Sequence, residues 1–134
     1  MHDVITAFVD LVGATSGART VLGPPERGAP ADDAARVWPW RLTEDLALHA
    51  SPHSQAIGRE APPVTLHCLL LCADLHALER LRVGLHASPV LELGDRRVHV
   101  VPAALGHDTL LGLFSAAGHA PRPCLAVELR ATAA

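Results

Sequence analysis

Three thiols and nine imidazoles are the side chains of this sequence best suited to hold a metal or to carry a nucleophilic reaction. Cys68, Cys72 and His76 lie at i, i+4 and i+8, with His67 adjacent. On one helix they would share a face and offer zinc a donor set. Asp74 reads instead as a strand end, which turns His76 away from both thiols. The C-x2-C knuckle of structural zinc is absent. Buried free Cys behaves as a small hydrophobe, so core thiols are the plainer reading. A zinc-dependent enzyme or metal-binding domain using Cys68, Cys72 and nearby His is the alternative. The nine His form neither H-E-x-x-H nor H-x-H. His49 and His53 have helical spacing, but Ser51 and Pro52 lie between them and oppose a helix.

Other catalytic patterns are missing. There is no G-x-S-x-G, and Ser16 lies in a predicted loop rather than a rigid turn. No G-x-G-x-x-G or G-x-x-x-x-G-K cradles a phosphate. The carboxylate pairs Asp32-Asp33 and Glu44-Asp45 are adjacent, so in extended chain they point opposite ways. These readings predict no enzyme, no resident metal and no cofactor. Trp38 and Trp40 flank Pro39 and are the only Trp residues. They read either as core or as an exposed anchor for a partner, because Trp is enriched at interface hot spots. An edge strand there would also accept a partner strand.

The elements that position these groups follow from periodicity. Asp3 is a candidate cap for a helix over 4–12, with Val4, Ile5, Phe8, Val9, Leu11 and Val12 apolar and Gly13 as its stop. Residues 13–35 and 49–63 read as loops, with a possible short strand at 19–22. Residues 37–48 read as extended, with a helical turn through Leu42, Leu46 and His49 as the alternative, and Pro39 favours an edge. Residues 64–73 are apolar on both faces, the pattern of a covered central strand, with a short buried helix as the alternative. Asp74 caps a helix to about residue 87 with Leu75, Leu78, Leu81 and Leu85 inward. Strands at 90–93 and 97–101 meet through Gly94-Asp95. Asp108 is a candidate cap for a third helix carrying Leu110, Leu111, Leu113 and Phe114, stopped at Gly118. Residues 124–132 alternate Leu125, Val127 and Leu129 against Glu128 and Arg130, a half-buried last strand. This order predicts an α/β (α+β) fold: one domain over 1–134, a mixed sheet with about three helices packed on it.

Composition narrows the partners. The 134 residues are 49% hydrophobic and 19% charged, with formal charge −3 and a pI of about 6.3. That argues against a nucleic-acid binder working by bulk charge. Lys, Tyr and Asn are absent, so every side-chain cation other than His is Arg. Three Cys are too few for a disulfide framework. The uncharged stretch 61–73 is too short to span a bilayer, and the opening residues do not resemble a signal peptide. The default expectation is a cytoplasmic protein.

The ordered segments resemble a known family. His2 to Phe8 (H-D-V-I-T-A-F) resembles the "I-H-D-V-D-x-A-L" opening of the cap, or tail-terminator, proteins of phage-tail-like contractile injection systems. Arg41-Leu42-Thr43-Glu44-Asp45-Leu46 matches that family's "Y-x-V-R-E-N-L" strand end. Pro62-Pro63 followed by V-T-L-H-C-L-L-L-C-A-D (Val64 to Asp74) matches "L-x-Y-L-V-T-A-W-A". Glu79, Leu81, Gly84, Leu85, Pro89, Val90 and Leu91 match "E-x-x-L-L-G-x-x-L-x-x-L-x-x-x-P-V-L". Leu110, Leu113, Phe114, Ser115 and Ala116, then Arg122, Pro123, Cys124, Leu125 and Val127, match "L-x-x-L-W-S-A-L … R-P-S-L-x-Y-x-V". The chain departs from the family in being shorter, in lacking its Tyr residues, in having Phe114 for Trp, and in carrying Pro39.

The resemblance implies a tail-terminator-like fold and structural work. Such caps form a homo-oligomeric, hexameric ring that ends the sheath and inner tube distal to the baseplate. The implied partners are other copies of the chain, the sheath protein and an inner-tube or tube-terminator protein. Neither nucleic acid nor direct membrane insertion is implied. The expected interface residues are Trp38, Trp40, Arg41, Glu44, Leu46 and Arg122. Another tail-completion or tube-end accessory is the nearest alternative.

Overall fold

The computed structural model describes residues 1–28, 33–44 and 64–133. Its elements run α1 (His2–Ser16), β1 (Thr20–Leu22), β2 (Ala35–Glu44), β3 (Val64–Leu71), α2 (Leu75–Ala87), β4 (Val90–Leu93), β5 (Arg96–Pro102), α3 (His107–Ala116) and β6 (Leu125–Ala133). The strands form one six-stranded mixed sheet in the order β1-β2-β3-β6-β5-β4. Only β1 and β2 pair in parallel; the other neighbours are antiparallel.

β3 is buried on both faces, as its apolar run predicts. Leu66, Cys68 and Leu70 join the layer formed by α1 and α2. Leu69 and Leu71 point the other way, towards Trp38 and the Phe114 ring of α3. Phe114 meets Trp38 edge to face at 5.6 Å, a favoured aromatic geometry.

α1 buries Val4, Phe8 and Val12, each one turn from the next. The helix is longer than its periodicity suggested. Gly13 lies inside it, and Gly17 ends it at φ 70 with its N–H on the Gly13 carbonyl. Gly13 is a point of close approach, where an added Cβ would lie 3.0 Å from Thr20 Oγ1. Nor is Asp3 the N-cap, which is Met1. The Asp3 carboxylate accepts the Val4 N–H at 2.9 Å and pairs with Arg96 of β5 at 3.2 Å. Chiefly through that backbone bond, and also through Arg96, its pKa falls below the ordinary value.

α2 begins as expected, with extended Asp74 accepting the Ala77 N–H at 2.7 Å. Leu78, Leu81 and Leu85 are buried, but Leu75 is 66% exposed. At about 100° per residue those three cluster on one side, and Leu75 falls roughly 90° away. In α3 the cap is Gly106 rather than Asp108, which sits in the first turn. There its charge favours the helix dipole. Phe114 is buried and Leu111 exposed. Gly118, at φ 68, follows the end of the helix.

The two helices of the main layer cross closely at Gly84. A Cβ there would collide with Thr15 Cγ2 of α1, and Arg80 donates to the Ser16 carbonyl beside it at 3.2 Å. Gly84→Ala is expected to cost about 1–3 kcal/mol by overpacking, against about 1 kcal/mol gained in helix propensity. In a Thr15→Ala background the clash is removed and the same substitution should stabilise. Urea unfolding of the four chains checks both signs.

Candidate functional site

α3 covers only one end of its face of the sheet. Over β2, β3 and β6 it packs on Trp38, Leu69, Leu71 and Ala126. Beyond Leu69 no helix among the described residues covers the same face. Strand pairing defines its members, because directly opposed residues share a face. His67 of β3 stands opposite Arg41 of β2 and Glu128 of β6. Arg130 stands opposite Thr65 and His99. Arg97 stands opposite Glu92.

An irregularity in β2 shapes the centre of this face. The register with β3 shifts between Pro39 and Arg41, so Trp40 is the extra residue beside His67. The Trp40 ring lies 5.5 Å from the His67 ring. His67 Nε2 is 3.0 Å from Thr43 Oγ1, and its Nδ1 is 3.8 Å from Glu128. Glu128 in turn accepts two bonds from Arg130, at 2.6 and 3.0 Å. The result is a polar network ruled across three strands with one large aromatic at its edge.

Pro39 fits this arrangement. Ala35 donates to Arg19 and Val37 accepts from Gly23, so their backbones face β1. Alternation puts Pro39 on the same side, just past the end of β1 pairing. A missing N–H there breaks no ladder bond. Residues 38–44 therefore have β3 on one side and no strand on the other among the described residues.

The expected interface residues divide. Trp40 is half-buried on the open face, and Arg41 and Glu44 are exposed. Trp38 takes the core side of the two readings: it is 7% exposed and packed under α3. Arg122 is half-buried and donates to the Cys72 carbonyl at 2.7 Å, tying the approach to β6 to the end of β3. Leu46 lies outside the described residues. His67, Glu128 and Arg130 were not among the expected residues. The available signal was alternation: His67 sits between Leu66 and Cys68, and Glu128 and Arg130 between inward Val127, Leu129 and Ala131.

Among the described residues the zinc alternative finds no supporting geometry. Cys68 and Cys72 are buried while His76 is exposed on α2. No group of three metal-binding side chains occurs among the described residues. Burial pushes the Cys68 thiol up to about 12. Burial also raises Cys72, with Asp74 adding to the effect, and raises Cys124. A cleft of about 320 Å³ lies between the end of α2 and β5–β6, lined by Leu85, Val100, Pro102 and Val127 with Arg82, His86 and Cys124 among them. A thiol held neutral there is a poor nucleophile. No helix among the described residues is long and apolar enough to cross a membrane.

A six-stranded mixed sheet, two helices on one face and one helix part-way over the other define a tail-terminator fold. Among solved structures, the chain is similar to one described as the PVC sheath/tube terminator in the extended state, from a cryo-EM structure of an extracellular contractile injection system. The match has a TM-score of 0.72 at 16% identity and covers 100% of this chain. The chain spans 56% of that terminator's length. No family model and no curated protein matches the chain.

Two expectations follow. The Cys68 thiol is neutral when folded up to about pH 12 but ionises near its ordinary value of 9.0 when unfolded. Its contribution is complete below pH 9 and is lost as pH rises towards 12. Chemical denaturation across that window should show falling stability, with a shallower slope for Cys68→Ala. Trp40→Ala should lower monomer stability only modestly, by about 1–2 kcal/mol for a half-buried ring, yet strongly weaken assembly. Equal loss in thermal melts and in a particle-incorporation assay would place Trp40 in the core instead.

Proposed function

We propose that this chain terminates the sheath and inner tube of a contractile injection system at the end distal to the baseplate, as a homo-oligomeric, six-fold ring. The observation that carries the reading is the likeness to a sheath/tube terminator over the whole chain. The ordered family-like segments of the sequence support it independently of the fold. A closed ring needs two different, complementary surfaces on each copy. The open sheet face and the unpaired margin of β2 are suitable contact regions for sheath or tube, since extended segments add to free strand edges. The role is structural and uses no cofactor. The chain is made in the cytoplasm and works as part of the assembled particle. The alternative reading is a tube-end or tail-completion accessory of the same fold.

Electron microscopy of particles from a strain lacking the gene tests the proposal. A terminator predicts absent particles or sheaths of uncontrolled length. Intact, length-controlled and capped particles would refute it. Normal sheath length with a defect confined to the tube end would select the accessory role.

A further inference from the structure

The uncovered sheet face has a charge character unlike that of the chain as a whole. The full sequence carries −3, but this face presents three Arg against two Glu. Arg130 is bonded to Glu128, and Arg97 lies 3.6 Å from Glu92. Arg41, exposed at the margin beside Trp40, makes no ion pair or hydrogen bond with any described residue. On this face, the one Arg without a described partner therefore stands next to the one large aromatic.

That combination selects a kind of partner. Arg and Trp are enriched at protein–protein contacts, where an aromatic supplies buried area and Arg supplies planar, two-pronged bonding to carboxylates. A nucleic-acid track needs cations in sequence along a backbone. Here Glu92 and Glu128 interrupt the row and would repel phosphates. We infer that the open sheet face is the docking site for an acidic protein segment, one that sets a carboxylate against Arg41 and an apolar side chain against Trp40. The segment belongs to another protein of the particle, so this inference rests on the terminator reading and adds to it the chemistry of the partner. The Glu128–Arg130 and Glu92–Arg97 pairs satisfy the rest of the face internally, which leaves Arg41 as the charge that discriminates.

The experiment restores the gene to the deletion strain as wild type, Arg41→Lys or Arg41→Glu. Quantitative mass spectrometry of purified particles then reads the ratio of this chain to tube protein. Arg41→Glu should reduce incorporation about tenfold or more, as expected for reversing a discriminating interface charge. Arg41→Lys should keep most of it, and thermal melts of both purified variants should match wild type. Incorporation of Arg41→Glu at the wild-type ratio would overturn the inference while leaving the terminator reading intact. Absence of the wild-type chain from particles would defeat the terminator reading itself, and the inference with it.

A photocrosslinker in place of His99, on the same face, identifies the occupant. Capture of a net-acidic segment of a sheath or tube protein supports the inference. Capture of a neutral or basic segment, capture of a second copy of this chain, or retention of a 20-base-pair DNA duplex by this face would each overturn it.

Discussion

The whole arrangement depends on one strand being buried from both sides. β3 carries Leu66, Cys68 and Leu70 into the α1–α2 layer and Leu69 and Leu71 into the α3 layer. Because side chains alternate strictly along a strand, neither layer can form unless the other register is kept. A slip of one residue would exchange the two sets and push His67 into the main core. The two cores are therefore coupled through one backbone, and the Trp38–Phe114 contact on the far side is held by the same register that seats Phe8 and Leu81 on the near side.

The same constraint shapes the surface. α3 is ten residues long and covers only the end of its face where Trp38, Leu69 and Leu71 are gathered. Past that end, β3 offers Thr65 and His67 instead of leucines, and the partner strands offer Glu128, Arg130 and His99. Extra backbone at the β2 bulge brings Trp40 to the boundary between the two regions. The open face is thus the continuation of a core layer whose helix has ended. It has the rigidity of paired strands with the polarity of a surface, a suitable footing for assembly.

Much of this was readable in the residues. The second half of the chain combines strong local signals: a run apolar on both faces, an Asp cap, a Gly-Asp turn and an alternating last strand. The observed elements follow them within a residue or two. Where reading failed, a non-local contact had overridden a local sign. Gly13 is a natural stop for a helix, yet α1 passes through it because Thr20 packs against the bare backbone. Leu75 has heptad-like spacing, but its angular position puts it off the buried stripe. Trp38 and Trp40 look equivalent in sequence, and the register shift between Pro39 and Arg41 separates a buried ring from a half-buried one. The identity of the neighbours of β6 was not legible, since strand pairing is chosen by the assembled sheet and not by local pattern. Of the residues on the open face, the sequence reading named Trp40 and Arg41 as expected contacts, while His67, Glu128 and Arg130 emerged only when three strands were set side by side.

The placement of β6 bears on how the protein is made. The last strand in the sequence lies between β3 and β5, so β1-β2-β3 and the β4–β5 hairpin meet only through it. During synthesis the N-terminal parts emerge seconds earlier than β6, at roughly 5–20 residues per second. Until then two half-sheets expose edges that have no partner, a state that invites mispairing. Closure of the sheet is also what completes the open face, because Glu128 and Arg130 arrive with the final strand. A nascent or prematurely ended chain thus lacks Glu128 and Arg130, and with them the finished open face.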